Sequence, residues 1–218
     1  PIVQNKAHFF ASLERVRIDA GNTINLTQRP ELNTTAATET RVWNTVIRLD
    51  NQISANNTWG VRWLREASPQ FNQLIGSVSL GAAREEADVD QTVVATLTSV
   101  LGNSRVNSLR GGWTQEDVAF ANPCYNTNGR NQAACLPTLA FQTFTDQQSN
   151  VAQARINDSF QVEDTLSWFV PGKGGDHDIK TGVQYNYARA KNVNEGNLNG
   201  TFSFGRSSAA FNAADPST

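Results

Sequence analysis

Seven segments of this chain alternate apolar and polar side chains with a period of two, and the connections between them alternate between short and long. A period of two puts successive side chains on opposite faces of a β-strand. The clearest case is NTWGVRWLRE, Asn57 to Glu66. There Trp59, Val61 and Trp63 share one face, while Gly60 and Arg62 share the other. In the same way Thr45, Ile47, Leu49 and Ile53 alternate with Val46, Arg48, Asp50 and Gln52. Phe160, Val162, Leu166 and Trp168 alternate with Gln161, Glu163, Thr165 and Ser167. Ile179, Val183, Tyr185 and Tyr187 alternate with Lys180, Gly182, Gln184 and Asn186, and Leu109, Gly111 and Trp113 with Arg110 and Gly112. Two less regular segments still give one apolar face each, through Val93, Ala95 and Leu97 and through Phe9, Ala11 and Leu13.

The connections narrow the fold further. Ser54–Asn57, Gly102–Ser104 and Pro171–Asp176 are short and made of turn-forming residues. The stretches from about Ala20 to Thr40, Ala67 to Val89 and Glu116 to Asn157 are long and polar. Tight turns at one end of a sheet and large loops at the other are the signature of outer-membrane barrels, with periplasmic turns and extracellular loops. Strands of about 9–13 residues suffice to cross a bilayer core at a tilt. The expected fold is therefore all-β: an antiparallel up-and-down transmembrane β-barrel segment of about seven strands, an incomplete barrel.

Under this reading the aromatic side chains face lipid. Trp59, Trp63 and Trp168 belong to that face, with Trp59 and Trp168 beside short turns at the depth of a periplasmic girdle. Trp113, Tyr185 and Tyr187 lie towards the long loops, where an outer girdle belongs. Arg48, Asp50, Arg62, Arg110, Lys180 and Gln184 face the lumen, where they contact a plug, line a path, or pair across strands. Asp164 falls on the lipid face if the alternation of its strand is continuous; a bulge would turn it inward. The rival reading is a secreted soluble β-domain, such as an adhesin, whose aromatics fill a sandwich core.

Composition decides less. A mean hydropathy of −0.44 looks soluble, but a barrel that alternates lipid-facing and lumen-facing residues keeps a low average. The net charge of −2 argues against nucleic-acid binding. The chain starts at Pro1 and contains no methionine, which reads as a piece of a longer polypeptide. Cys124 and Cys135, the two cysteines, sit in the turn-rich PCYNTNGRNQAAC. Neither His8 nor His177 is near them in sequence, so a local disulfide is favoured over metal ligation or free thiols. Such a bond implies an oxidising compartment.

PIVQNKAHFFASLE resembles the segment that opens an early barrel strand in Oar-like TonB-dependent receptors, with Gln4 where a basic residue is more usual. DTLSW, a short turn, HDIK and then Gly182 and Tyr185 resemble a later hairpin of that family. NGTFSF, Asn199 to Phe204, and the closing ADPST resemble the loop segment that follows it. The resemblance implies that residues 1–218 are part of a barrel of about 22 strands. The signal sequence, plug, TonB box and final strands would lie outside the sequence given. It also implies energised uptake of an unidentified ligand across the outer membrane, with lipid, the protein's own plug and the TonB complex as partners. A passive porin-like channel is the alternative in the same membrane.

No catalytic constellation, metal site or cofactor motif is present, so an enzyme is not expected. The acidic run REEADVD, Arg84 to Asp90, is read as a solvated loop in preference to a calcium site. GKGGD lacks the spacing of a phosphate-binding loop and reads as a turn.

Overall fold

β-Branched and aromatic residues suit a pleated ladder, and their alternation here is realised as one large antiparallel sheet. The computed structural model describes residues 2–4, 6–124, 135–172 and 174–205. Seven long strands run up and down: β1 (Ala7–Ile24), β2 (Thr34–Ser54), β3 (Asn57–Ala67), β5 (Arg84–Leu101), β6 (Arg105–Ala121), β9 (Gln153–Val170) and β10 (His177–Asn194). They pair in the order β1-β2-β3-β5-β6-β9-β10, so each strand lies beside its predecessor among the seven. The sheet does not close on itself. Among the described residues β1 and β10 are its free edges.

Except for β3, with 11 residues, these strands have 17 to 21, well beyond the lengths expected from alternation. They extend deep into the segments read as long loops, which contract to 25–33, 68–83 and 122–152. The acidic run from Arg84 to Asp90 is strand, paired in register with β6 from Glu85 onwards. A strand outside an apolar medium has two polar faces, so the ladder continues where its sequence signature stops.

Pro69 accounts for the short β3. Proline has no N–H to donate to a ladder, and the chain breaks at Ser68 and Pro69 before resuming as β4 (Gln70–Gln73) between β2 and β5. The break is bridged by backbone bonds from Ser68 N–H to the Asp88 carbonyl (2.9 Å) and from Arg41 N–H to the Pro69 carbonyl (3.1 Å). At the opposite end, β2 and β3 shift register between Gln52 and Ser54. Ile53 thus leaves the alternation at a bulge beside the turn.

The hydrophobic core does not lie under the sheet. It lies among the loops, where Ile24, Leu26 and Phe144 are buried and Leu32, Leu74 and Phe141 pack on them. A second, three-stranded sheet of order β11-β7-β8 sits in the same region, built from β7 (Thr138–Ala140), β8 (Thr145–Asp146) and β11 (Thr201–Ser203). β11 carries part of NGTFSF and pairs parallel with β7. The closing ADPST lies outside the described residues. By contrast, sheet residues such as Val183 (70% exposed), Leu13 (67%) and Tyr185 (64%) have no protein over them.

Candidate functional site: the two faces of the barrel wall

Register joins the strand faces into continuous surfaces. One row of direct partners crosses all seven long strands as Phe9, Leu49, Val61, Ala95, Gly111, Val162 and Tyr185. The next row is Ala11, Ile47, Trp63, Val93, Trp113, Phe160 and Tyr187. No residue of either row is charged. Trp63, Trp113 and Tyr187 therefore share a row, and Tyr185 lies one row nearer the turns. Trp59 lies in the row beyond that, with Leu97, Leu109 and Val183. Trp168 is nearer still to its turn, opposite Ile179 and Arg105, and the Arg105 guanidinium lies 4.5 Å from the centroid of its ring. Trp113 directs its indole N–H to Asp158 (3.3 Å).

Asp164 is on this apolar face. Both of its ladders run through it without a shift, opposite Leu109 and Val183, so no bulge turns it inward. The Asn107 side-chain amide donates to its carboxylate at 2.7 Å, forming a polar pair within an otherwise apolar surface.

The other face is polar and divides into two zones. In mid-sheet Arg48, Asp50, Arg62 and Arg110 converge from three strands on a depression of about 200 Å³. Arg48 and Arg62 are direct cross-strand partners. Arg48 turns away to bind Asp50 (2.8 Å), and Asp50 can reach across because its neighbour is Gly60. A Cβ on Gly60 would lie 2.7 Å from the Asp50 carboxylate. Lys180 and Gln184 are on the same polar face but on β10, opposite Ser167 and Glu163, and do not line the depression.

Nearer the loops lies an acidic row that reading single segments did not reveal. Glu14, Asn44, Glu66, Asp90, Glu116 and Asn157 are successive cross-strand partners over six strands. Like charges opposite one another are unfavourable in a sheet. Here they are partly relieved by amide donors, Asn44 to Glu14 (3.2 Å) and Asn157 to Glu116 (2.7 Å), and by the Arg155–Glu116 pair (3.0 Å). Each member comes from a different strand, so only register exposes the row. Among the described residues no cluster of ligands suited to a metal ion occurs.

Loop bonds hold the far end of the sheet together. The Asn122 amide donates to the Ala83 carbonyl and to Ser149 Oγ, both at 2.8 Å. Two residues later Cys124 is joined to Cys135 by a disulfide, with Cα atoms 5.1 Å apart.

A sheet with one uncovered apolar face and one charged face is the wall of a barrel in a membrane. The outer membrane beta barrel domain family matches residues 22–217. This chain belongs to that family. Its place is accordingly the outer membrane. Among solved structures it is similar to the outer membrane transporter YddB from Escherichia coli, with a TM-score of 0.70 at 11% sequence identity. The match covers 88% of this chain and 25% of that one, so the chain spans a quarter of the transporter's length. No curated protein matches.

Proposed function

We propose that this chain is part of the wall of a TonB-dependent outer-membrane receptor that imports a ligand by energised uptake and catalyses no reaction. The observation that carries the proposal is the pair of faces. The apolar rows have no protein layer to cover them and lie against lipid. The polar face, with its arginine and acidic zones, looks into a lumen wide enough to hold a plug. The likeness to a transporter more than three times as long supports a wide barrel of which these strands are a fraction. The Oar-like segments at Pro1–Glu14 and Asp164–Tyr185 support the energised class.

The test is uptake by cells carrying the complete gene. Energised transport should stop when the proton-motive force is dissipated or TonB is deleted. Uptake that persists under both conditions would instead make the barrel a passive channel.

The lipid assignment makes a further prediction at Asp164. A carboxylate on the lipid face of a barrel costs stability, though less than a lysine or arginine there. Asp164→Leu is therefore expected to stabilise the reconstituted protein by about 1–2 kcal/mol, read from denaturant unfolding in lipid vesicles. Destabilisation on that substitution would place Asp164 in a protein interior.

A further inference from the structure

We propose that the apolar face ends, on its loop side, in a cationic rim that binds the phosphates of anionic outer-leaflet lipid headgroups. This inference rests on the apolar face lying against lipid and is independent of how transport is energised. On four of the seven long strands the first charged residue of that face past the apolar stretch, going towards the loops, is an arginine (Arg15, Arg41, Arg65 and Arg189), and on the other three it is an acid (Glu85, Asp117 and Asp158). On β1 Phe9, Ala11 and Leu13 are followed by Arg15. On β3 Trp59, Val61 and Trp63 are followed by Arg65, and on β10 Val183, Tyr185 and Tyr187 by Arg189. Lys191 follows Arg189 on the same face. A charge at that position sits where hydrocarbon gives way to headgroups.

Charge is sorted between the faces at this level. Glu14 adjoins Arg15 and Glu66 adjoins Arg65, and in each pair the acid belongs to the polar face and the base to the apolar one. Arg65 is the most telling member because both neighbouring strands are present. Its cross-strand partners are Thr45 and Gln91, neither of which is charged. Arg15 lies over the Trp43 ring, 5.0 Å from its centroid, which holds the guanidinium at the surface next to an interfacial aromatic. Arg189 faces Asp158 across the ladder. That carboxylate instead accepts from Trp113 and from Gln115 (2.9 Å). Asp117, between Val89 and Ile156, is an opposing charge on the rim. Arg17 and Arg41 are different: both are tied to Glu39, and Arg17 also to Asp19. Planar guanidinium groups suit phosphate oxygens, and a lysine or arginine near an anionic lipid surface contributes about fivefold in association.

The test uses the full-length protein in phosphatidylcholine vesicles doped with diphosphoryl lipid A, with the lipid retained around the purified protein measured by mass spectrometry. Wild type should enrich lipid A over phosphatidylcholine. The variant R15Q/R65Q/R189Q/K191Q should lose that enrichment by about fivefold per cation removed. Lysine at the three arginine positions should retain most of it. R17Q/R41Q, whose cations are already paired, and the polar-face variant R62Q should keep wild-type enrichment and report on folding. Unchanged enrichment in the quadruple variant overturns the rim. Equal displacement of lipid A by inorganic phosphate at matched concentration overturns the lipid as its ligand. A protein that does not enter the vesicles overturns the lipid-facing assignment with it.

Discussion

Val61→Arg is expected to cost about 2–4 kcal/mol of barrel stability, measured by denaturant unfolding in vesicles. Val61 lies in the middle of the apolar face of β3, in the row from Phe9 to Tyr185 that contains no charge. An arginine there has Leu49 and Ala95 as cross-strand partners and no acid beside it. Its side chain must stretch along the strand towards a headgroup or carry water into hydrocarbon. The adjoining position already holds Arg62, one residue along and on the other face. That gives the experiment an internal control, since Arg62→Val at nearly the same depth should cost far less. Equal costs at the two positions would mean that the faces are not in different media.

Loss of the Cys124–Cys135 disulfide should destabilise the loop layer by about 2–3 kcal/mol, the chain-entropy value for a short closed loop. The sequence separation is 11 residues. The bond ties the chain just past β6 to the chain just before β7, and its neighbours show what depends on it. The Asn199 amide donates to the Cys135 carbonyl (2.7 Å) and the Gln148 amide to the Leu136 carbonyl (2.6 Å). The Thr138 N–H donates to the Gly200 carbonyl (3.0 Å), where the parallel pairing of β7 with β11 begins. In C124S/C135S, or after reduction, limited proteolysis should therefore cut the loops between β6 and β9 at much lower protease. The long strands should remain protected. Protease resistance equal to wild type would show that the loop layer is held by its apolar cluster alone.

What could be read from the sequence follows from where an apolar medium imposes a pattern. Trp59, Val61 and Trp63 alternate with Gly60 and Arg62 because the two faces meet different surroundings, so β3 and its neighbours were visible as strands. Two of the three tight turns were visible because Gly102 and the glycines after Pro171 take the left-handed backbone that such turns use, with φ of 68° at Gly102 and 76° at Gly172; the third was visible through its serine and asparagines, Ser54, Asn56 and Asn57. Beyond the apolar stretch both faces are polar. TTAATETR at the start of β2 is paired strand with no alternation to mark it. β4, β7, β8 and β11 are two to four residues long, shorter than any periodic signal. The two-zone polar face was half legible. Each arginine could be assigned a face from its own strand, but the acidic row from Glu14 to Asn157 exists only once six strands are set in register.

The most direct measurement is a nitroxide scan of β3, one label at a time from Thr58 to Arg65, in the protein reconstituted in lipid vesicles. Collision with oxygen, which concentrates in hydrocarbon, should peak at Trp59, Val61 and Trp63. Collision with a water-soluble nickel chelate should be greatest at Gly60 and Arg62, with the two profiles out of phase at a period of two. Low accessibility to both reagents at Trp59, Val61 and Trp63 would mean that a protein layer buries them. It would contradict a membrane-facing wall.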